Sequence, residues 1–150
     1  MAYQLFHDYF PDLAERETRV IHVRPPSPFP NVPPDDYALL EMFCTDEGCD
    51  CRRVMWTVVA DRKKSTVAVV AHGWGSARFY QKWYGANDAD IVREMQGPVL
   101  NLASPQAPYA PAILHMLSRI VLTDQPYLQR VKRHYTLFRN KIDTGANDLS

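Results

Sequence analysis

The chain has no hydrophobic run long enough to cross a bilayer. Its longest uninterrupted apolar stretch is residues 67–71, against the roughly 20 residues that a spanning helix needs. Neither sign of charge is in excess, with 17 basic residues against 17 acidic ones, and that balance argues against nucleic acid or an anionic membrane as the main partner. The start, Met1-Ala-Tyr-Gln-Leu-Phe-His-Asp8, lacks a basic region followed by an apolar one, so no signal peptide is expected. Cysteine is scarce and odd in number, three residues in 150. With no export signal, that predicts reduced thiols and a cytoplasmic location. Phosphate loops, dinucleotide fingerprints, paired catalytic carboxylates and internal repeats are also missing.

What is present is ordinary in amount and uneven in placement. A chain of this length makes one domain that buries roughly 70% of its unfolded surface, so the cysteines are not needed to rescue a small core. Yet all three fall within eight residues, in Phe43-Cys-Thr-Asp-Glu-Gly-Cys-Asp-Cys-Arg52. Cys44, Cys49 and Cys51 are therefore candidate ligands of one zinc ion, because zinc takes thiolate and imidazole donors in a tetrahedron. In a flat strand Cys49 and Cys51 would point to opposite faces, so they share an ion only if the chain turns, and Gly48 after Thr-Asp-Glu supplies a turn.

Organisation follows from the pattern along the chain. Residues 12–23 read equally as a short helix or a strand. Residues 25–34 hold six prolines, too many for a helix or central strand, and predict a polyproline II connector. Their two Pro-x-x-Pro spacings would also suit a docking peptide, although such spacings arise by chance in any proline-rich linker. Residues 37–43, 54–60 and 66–71 read as strands of an antiparallel meander. Residues 61–65 form a polar hairpin loop, and the cysteine loop is the first connection. Helices are predicted over 77–84, 88–95, 110–122 and 125–140, with an irregular stretch at 98–108 and a frayed tail from 145. Strands followed by helices favour an α+β fold: a sheet of about three strands backed by C-terminal helices, its first hairpin stapled by zinc. The boundaries expected are an N-terminal segment at 1–36, the metal-binding domain at 37–142 and a flexible tail at 143–150.

A structural zinc site needs a fourth ligand, and five histidines compete. His115 lies on the polar side of its helix, and His7 and His22 sit in segments without a clear pattern. His72 ends the third strand beside the hairpin. His134 falls within the apolar stripe with Val131 and Phe138, where a ring turned inward requires a partner. His134 is the first candidate and His72 the alternative; water, Asp46 or Asp50 would instead leave the site open or differently completed.

Three segments bear a resemblance to known families. Cys49-Asp-Cys-Arg-Arg-Val54 after an upstream cysteine, with Arg130-Val-Lys-Arg-His-Tyr-Thr-Leu-Phe-Arg139, resembles a family of uncharacterised bacterial proteins over about residues 37–139. The resemblance implies a bacterial cytoplasmic protein and adds weight to His134. Val69-Val-Ala-His-Gly-Trp-Gly-Ser76 resembles the oxyanion-loop segment of α/β-hydrolases, but no Gly-x-Ser-x-Gly elbow follows it. Gly73 and Gly75 then read as turn residues around a packing Trp74. Phe79, Tyr80, Trp83 and Tyr84 read as core packing or a contact patch.

Three functions fit these residues. The first is a zinc-binding domain that is not an enzyme, an adaptor for an unidentified protein or small-molecule partner. The second is a small zinc hydrolase or transferase whose metal keeps a position for water. The third is a nucleic-acid module using Arg130, Lys132, Arg133 and Arg139 on the outer side of the last helix, with Tyr135 for stacking; charge neutrality disfavours it.

Overall fold

The computed structural model describes residues 2–85 and 87–148. The chain forms an α+β fold in the order β1 (Tyr3–Leu5), α1 (Phe6–Tyr9), α2 (Pro11–Glu17), β2 (Arg19–Val23), β3 (Asp35–Cys44), β4 (Arg53–Ala60), β5 (Ser65–Gly73), α3 (Ala77–Tyr84), α4 (Ala89–Gln96), β6 (Val99–Leu100), α5 (Ala110–Ile120) and α6 (Gln125–Asp148). The predicted meander is present as β3–β4–β5, paired antiparallel throughout. The sheet is wider than three strands. β6 adds to β5, while β1 and β2 share the outer edge of β3, with Tyr3 opposite Cys44 and Arg19 opposite Leu39.

β1 and β2 thus belong to the sheet, and Phe6, Ala14, Ile21, Val23 and Val32 to the core, where a segment ahead of the domain was expected. The ambiguous 12–23 window is both things in turn, helix through Glu17 and strand from Arg19. The proline-rich segment links β2 to β3. It is not polyproline II throughout, since a turn closed by Val32 N–H to Phe29 O (3.1 Å) lets Val32 bury and Phe29 pack on the core. At the other end α6 continues to Asp148, where fraying was expected.

Strict alternation in β3 and β4 builds the core face. Tyr37, Leu39, Phe43, Val54, Trp56 and Val58 are fully buried, because successive strand side chains alternate between faces. Their partners are the apolar stripes of α5 (Ile113, Met116, Leu117) and α6 (Tyr127, Val131, Phe138). A smaller cluster of Tyr80, Val92 and Met95 joins α3 and α4.

Gly73 and Gly75 are needed for a different reason from the one their sequence context suggests. Neither has a positive φ. A Cβ on Gly73 would run into the Tyr80 hydroxyl and the Met95 carbonyl, and one on Gly75 into the rings of Phe79 and Tyr80. The Tyr80 hydroxyl fills this space while donating to the carbonyls of Cys51 (3.0 Å) and Arg52 (2.9 Å). Gly73→Ala is accordingly expected to cost about 1–3 kcal/mol by overpacking, read as a shift in denaturant midpoint at constant slope.

Candidate metal centre

Cys44 is the last residue of β3, and Cys49 and Cys51 lie in the loop that leads to β4. The turn required between them is made by Gly48 at φ 71° and closed by Cys49 N–H to Asp46 O at 3.2 Å. Arg52, also left-handed at φ 53°, then redirects the chain into β4. The three sulfur atoms all lie within 4.8 Å of one another. Zinc–sulfur bonds of 2.3 Å in a tetrahedron place sulfurs about 3.8 Å apart, so a small contraction would bring them onto one ion. Cys44 and Cys51 are fully buried and Cys49 is half-buried.

The surroundings suit thiolates. The Asp46 N–H donates to Cys44 Sγ at 3.4 Å; such an outer donor orients a metal-binding sulfur and offsets its charge. With no cation present, burial pushes the Cys44 thiol up to about 11 and the Cys51 thiol up to about 12. A bound divalent cation would reverse that preference by displacing the protons.

One face of α6 holds the loop in place, through Tyr135, Arg139 and Asp143, spaced four residues apart. The Tyr135 hydroxyl accepts from Arg52 N–H (3.1 Å) and donates to Asp50 Oδ1 (3.0 Å). Arg139 is buried and donates to the carbonyls of Cys44 and Asp46 and to Asp143, whose carboxylate also receives the Gly48 N–H at 2.9 Å. Two more guanidinium groups stand close by. Arg53 reaches Met95 O (3.1 Å) and the Tyr3 hydroxyl (3.3 Å), and burial raises the Tyr3 pKa, opposed by Arg53 and reinforced by charge on Cys51 and Cys44. Arg52 pairs with Asp50 at 3.0 Å and lies 3.9 Å over the Phe79 ring. Carboxylates balance two of these cations, Asp50 on Arg52 and Asp143 on Arg139, and the Asp46 charge adds to the upward push on the Cys44 thiol.

Neither predicted histidine joins the sulfurs. Among the described residues, the group able to share one ion is Cys44, Cys49 and Cys51 alone. His134 is turned inward as its place in the stripe implies, but both ring nitrogens serve other partners: Nδ1 lies 2.7 Å from Glu41 and Nε2 2.8 Å from Glu17. His72 stacks on Trp56 at 5.8 Å, and burial lowers its pKa. Asp50 is committed to Tyr135 and Arg52. The basic outer face expected on the last helix is also different. Arg139 is buried, and Arg130 and Arg133 are drawn to Glu17. Tyr135 was legible as a member of the stripe, four residues from Val131, whereas Arg139 was expected on the outer side of the helix. The use of backbone carbonyls by Arg139 was not legible.

His134 instead centres a buried polar network. Trp56 Nε1–H donates to the Tyr127 hydroxyl (3.0 Å), which donates to Glu41 Oε2 (2.9 Å), and Glu41 and Glu17 flank the imidazole, itself stacked on Phe6 at 4.3 Å. Two carboxylates on one ring are both satisfied by the imidazolium. Burial disfavours that charge, but the hydrogen bonds and charges of Glu41 and Glu17 outweigh it and raise the His134 pKa, while His134 lowers that of Glu17. A folded-state histidine pKa above the unfolded value of about 6.5 contributes stability that is complete below that pH and is lost as pH rises through the folded value. Melting temperature is therefore expected to fall as pH rises above about 6.5. His134→Gln should flatten this fall; an equally steep profile in the variant would exclude His134 as its source.

Comparison with models of protein families, with curated proteins and with solved structures gave no match. No described helix is long and apolar enough to cross a membrane.

Proposed function

We propose that this protein is a zinc-binding module in which the metal, held by Cys44, Cys49 and Cys51, fixes the β3–β4 loop against α6 and presents it to a partner. The observation that carries this reading is the convergence of all three cysteines within 4.8 Å in a loop anchored by buried side chains of another element. Incidental cysteines would have no cause to meet there, and soft thiolate sets select zinc among the common divalent ions. A reducing, cytoplasmic setting keeps such thiols available.

Metal content per chain, measured by mass spectrometry on protein purified without added metal, tests the reading. About one zinc per chain is expected, and metal-free protein with unchanged stability would overturn it. A second reading, a zinc hydrolase or transferase, draws on one observation: no fourth His, Cys, Asp or Glu among the described residues stands with the three sulfurs, and a metal with a bound water can lower its pKa to about 7. Hydrolysis of activated esters by the zinc-loaded protein, lost in Cys51→Ser, would favour that reading. The nucleic-acid reading has fewer free cations behind it, with Arg139 buried and Arg133 paired with the Glu17 carboxylate.

A further inference from the structure

We infer that a second copy of this chain packs on the open face of the sheet, forming a two-fold dimer. The inference stands apart from the metal reading. A sheet with one face in water alternates apolar and polar residues, with the polar ones outward. Here α5 and α6 cover the face that holds Leu39 and Trp56, and the opposite face breaks that pattern. Its central positions are Ala38, Leu40, Met42, Met55, Thr57 and Val59, paired across β3 and β4. Thr57 alone among them is polar. The single charged residue of 37–43 and 54–60, Glu41, is instead buried on the core side, opposite Trp56. All six side chains are half-buried, and none belongs to or packs against either hydrophobic cluster.

Size, charge and shape select the occupant. The sheet is five strands across, about 24 Å, and the nine residues of β5 run about 30 Å. That footprint of about 700 Å² is close to the roughly 800 Å² that each partner buries in a stable interface. Charge stands only at the two ends, where Asp36 meets His22 and Arg24, and where Arg53 reaches Met95. An apolar centre with a polar rim is the anatomy of a protein interface, and a centre without charge selects neither an acidic nor a basic partner. The face also complements itself. Leu102, 84% exposed, stands at the mouth of an open cavity of about 610 Å³ lined by Met55, Ala71, Met95 and Val99. A projecting apolar side chain and an apolar hollow on one surface suit an isologous contact, because each copy offers both. Two sheets packed face to face at about 10 Å then enclose the apolar positions between them.

The test is sedimentation equilibrium of the full-length chain beside Thr57→Lys and Leu102→Ser. Interfaces of this size have dissociation constants of micromolar or below, so twice the chain mass is expected at about 100 µM. Thr57→Lys sets like charges against each other at a position already polar and half-exposed, and should weaken association at least about 10-fold. Leu102→Ser leaves the core untouched and should weaken it by about 10-fold, since a leucine is lost from each copy. Methionine oxidation by peroxide locates the contact in the wild-type chain. Met42 and Met55 should oxidise several-fold more slowly in the dimer than after dilution to monomer, with buried Met116 slow in both. A chain that is monomeric at about 100 µM would overturn the inference and leave the face to a different partner. A dimer that oxidises Met42 and Met55 as fast as the monomer does, and that survives Leu102→Ser, would place the contact elsewhere and overturn it as well.

Discussion

His134→Ala is expected to lower stability by about 3–5 kcal/mol while leaving metal content unchanged. His134 is 1% exposed, and its removal strands Glu41, whose side chain is 4% exposed, as a buried carboxylate with only the Tyr127 hydroxyl for support. Breaking one side of a buried ion pair typically costs that much, because the remaining charge is uncompensated. For a chain of this size the loss corresponds to a fall in melting temperature on the order of 10 °C. The two readouts separate the role seen in the structure from the one the sequence suggested. A zinc ligand would lose metal on substitution. A residue between Glu17 and Glu41 should lose stability and keep metal. Loss of zinc with an unchanged melting curve would contradict this placement.

Cys51→Ser is the second substitution with a large expected effect, in the opposite pattern. Outer-sphere partners of metal ligands are worth about 10–100-fold in affinity, so removal of a direct thiolate should weaken binding by more than roughly 100-fold and leave purified protein nearly free of metal. Because binding free energy to the folded site adds to folding free energy, the variant should melt where chelator-treated wild-type protein melts. Agreement between those two curves would assign the stability difference to the metal alone. A variant that melts like zinc-loaded wild type would show that the loop is held by Arg139, Tyr135 and Asp143 without help from an ion.

Arg139 shows why the loop and the last helix belong together energetically. Its guanidinium replaces water for the Cys44 and Asp46 carbonyls, and buried backbone acceptors need such partners. Asp143 completes the arrangement by receiving both Arg139 and the Gly48 N–H. A link between cysteine hairpin and last helix was expected through a metal-bound His134. The link exists one turn further along, through hydrogen bonds, and a metal in the loop would reinforce it.

The order of residues alone was enough for the meander, the four later helices and the cysteine cluster. The apolar run of residues 37–43, the β-branched and aromatic run of 54–60, and the 3.6-residue stripe through Val131, Tyr135 and Phe138 reflect local preferences that each element expresses without its neighbours. The three soft ligands within eight residues were legible as a cluster, while the approach of their sulfurs to within 4.8 Å depends on the turn at Gly48 and on the loop's anchoring by Arg139 and Asp143. The inward orientation of His134 was legible on the same grounds. Its partners were not, since Glu17 and Glu41 come from α2 and β3, 117 and 93 residues away in sequence. The short strands β1, β2 and β6 were also illegible, because two to five residues carry too little pattern and are recruited by the edges of β3 and β5. Whether a histidine faces a metal or a carboxylate is settled by which elements pack against it, and that information exists only in the folded chain.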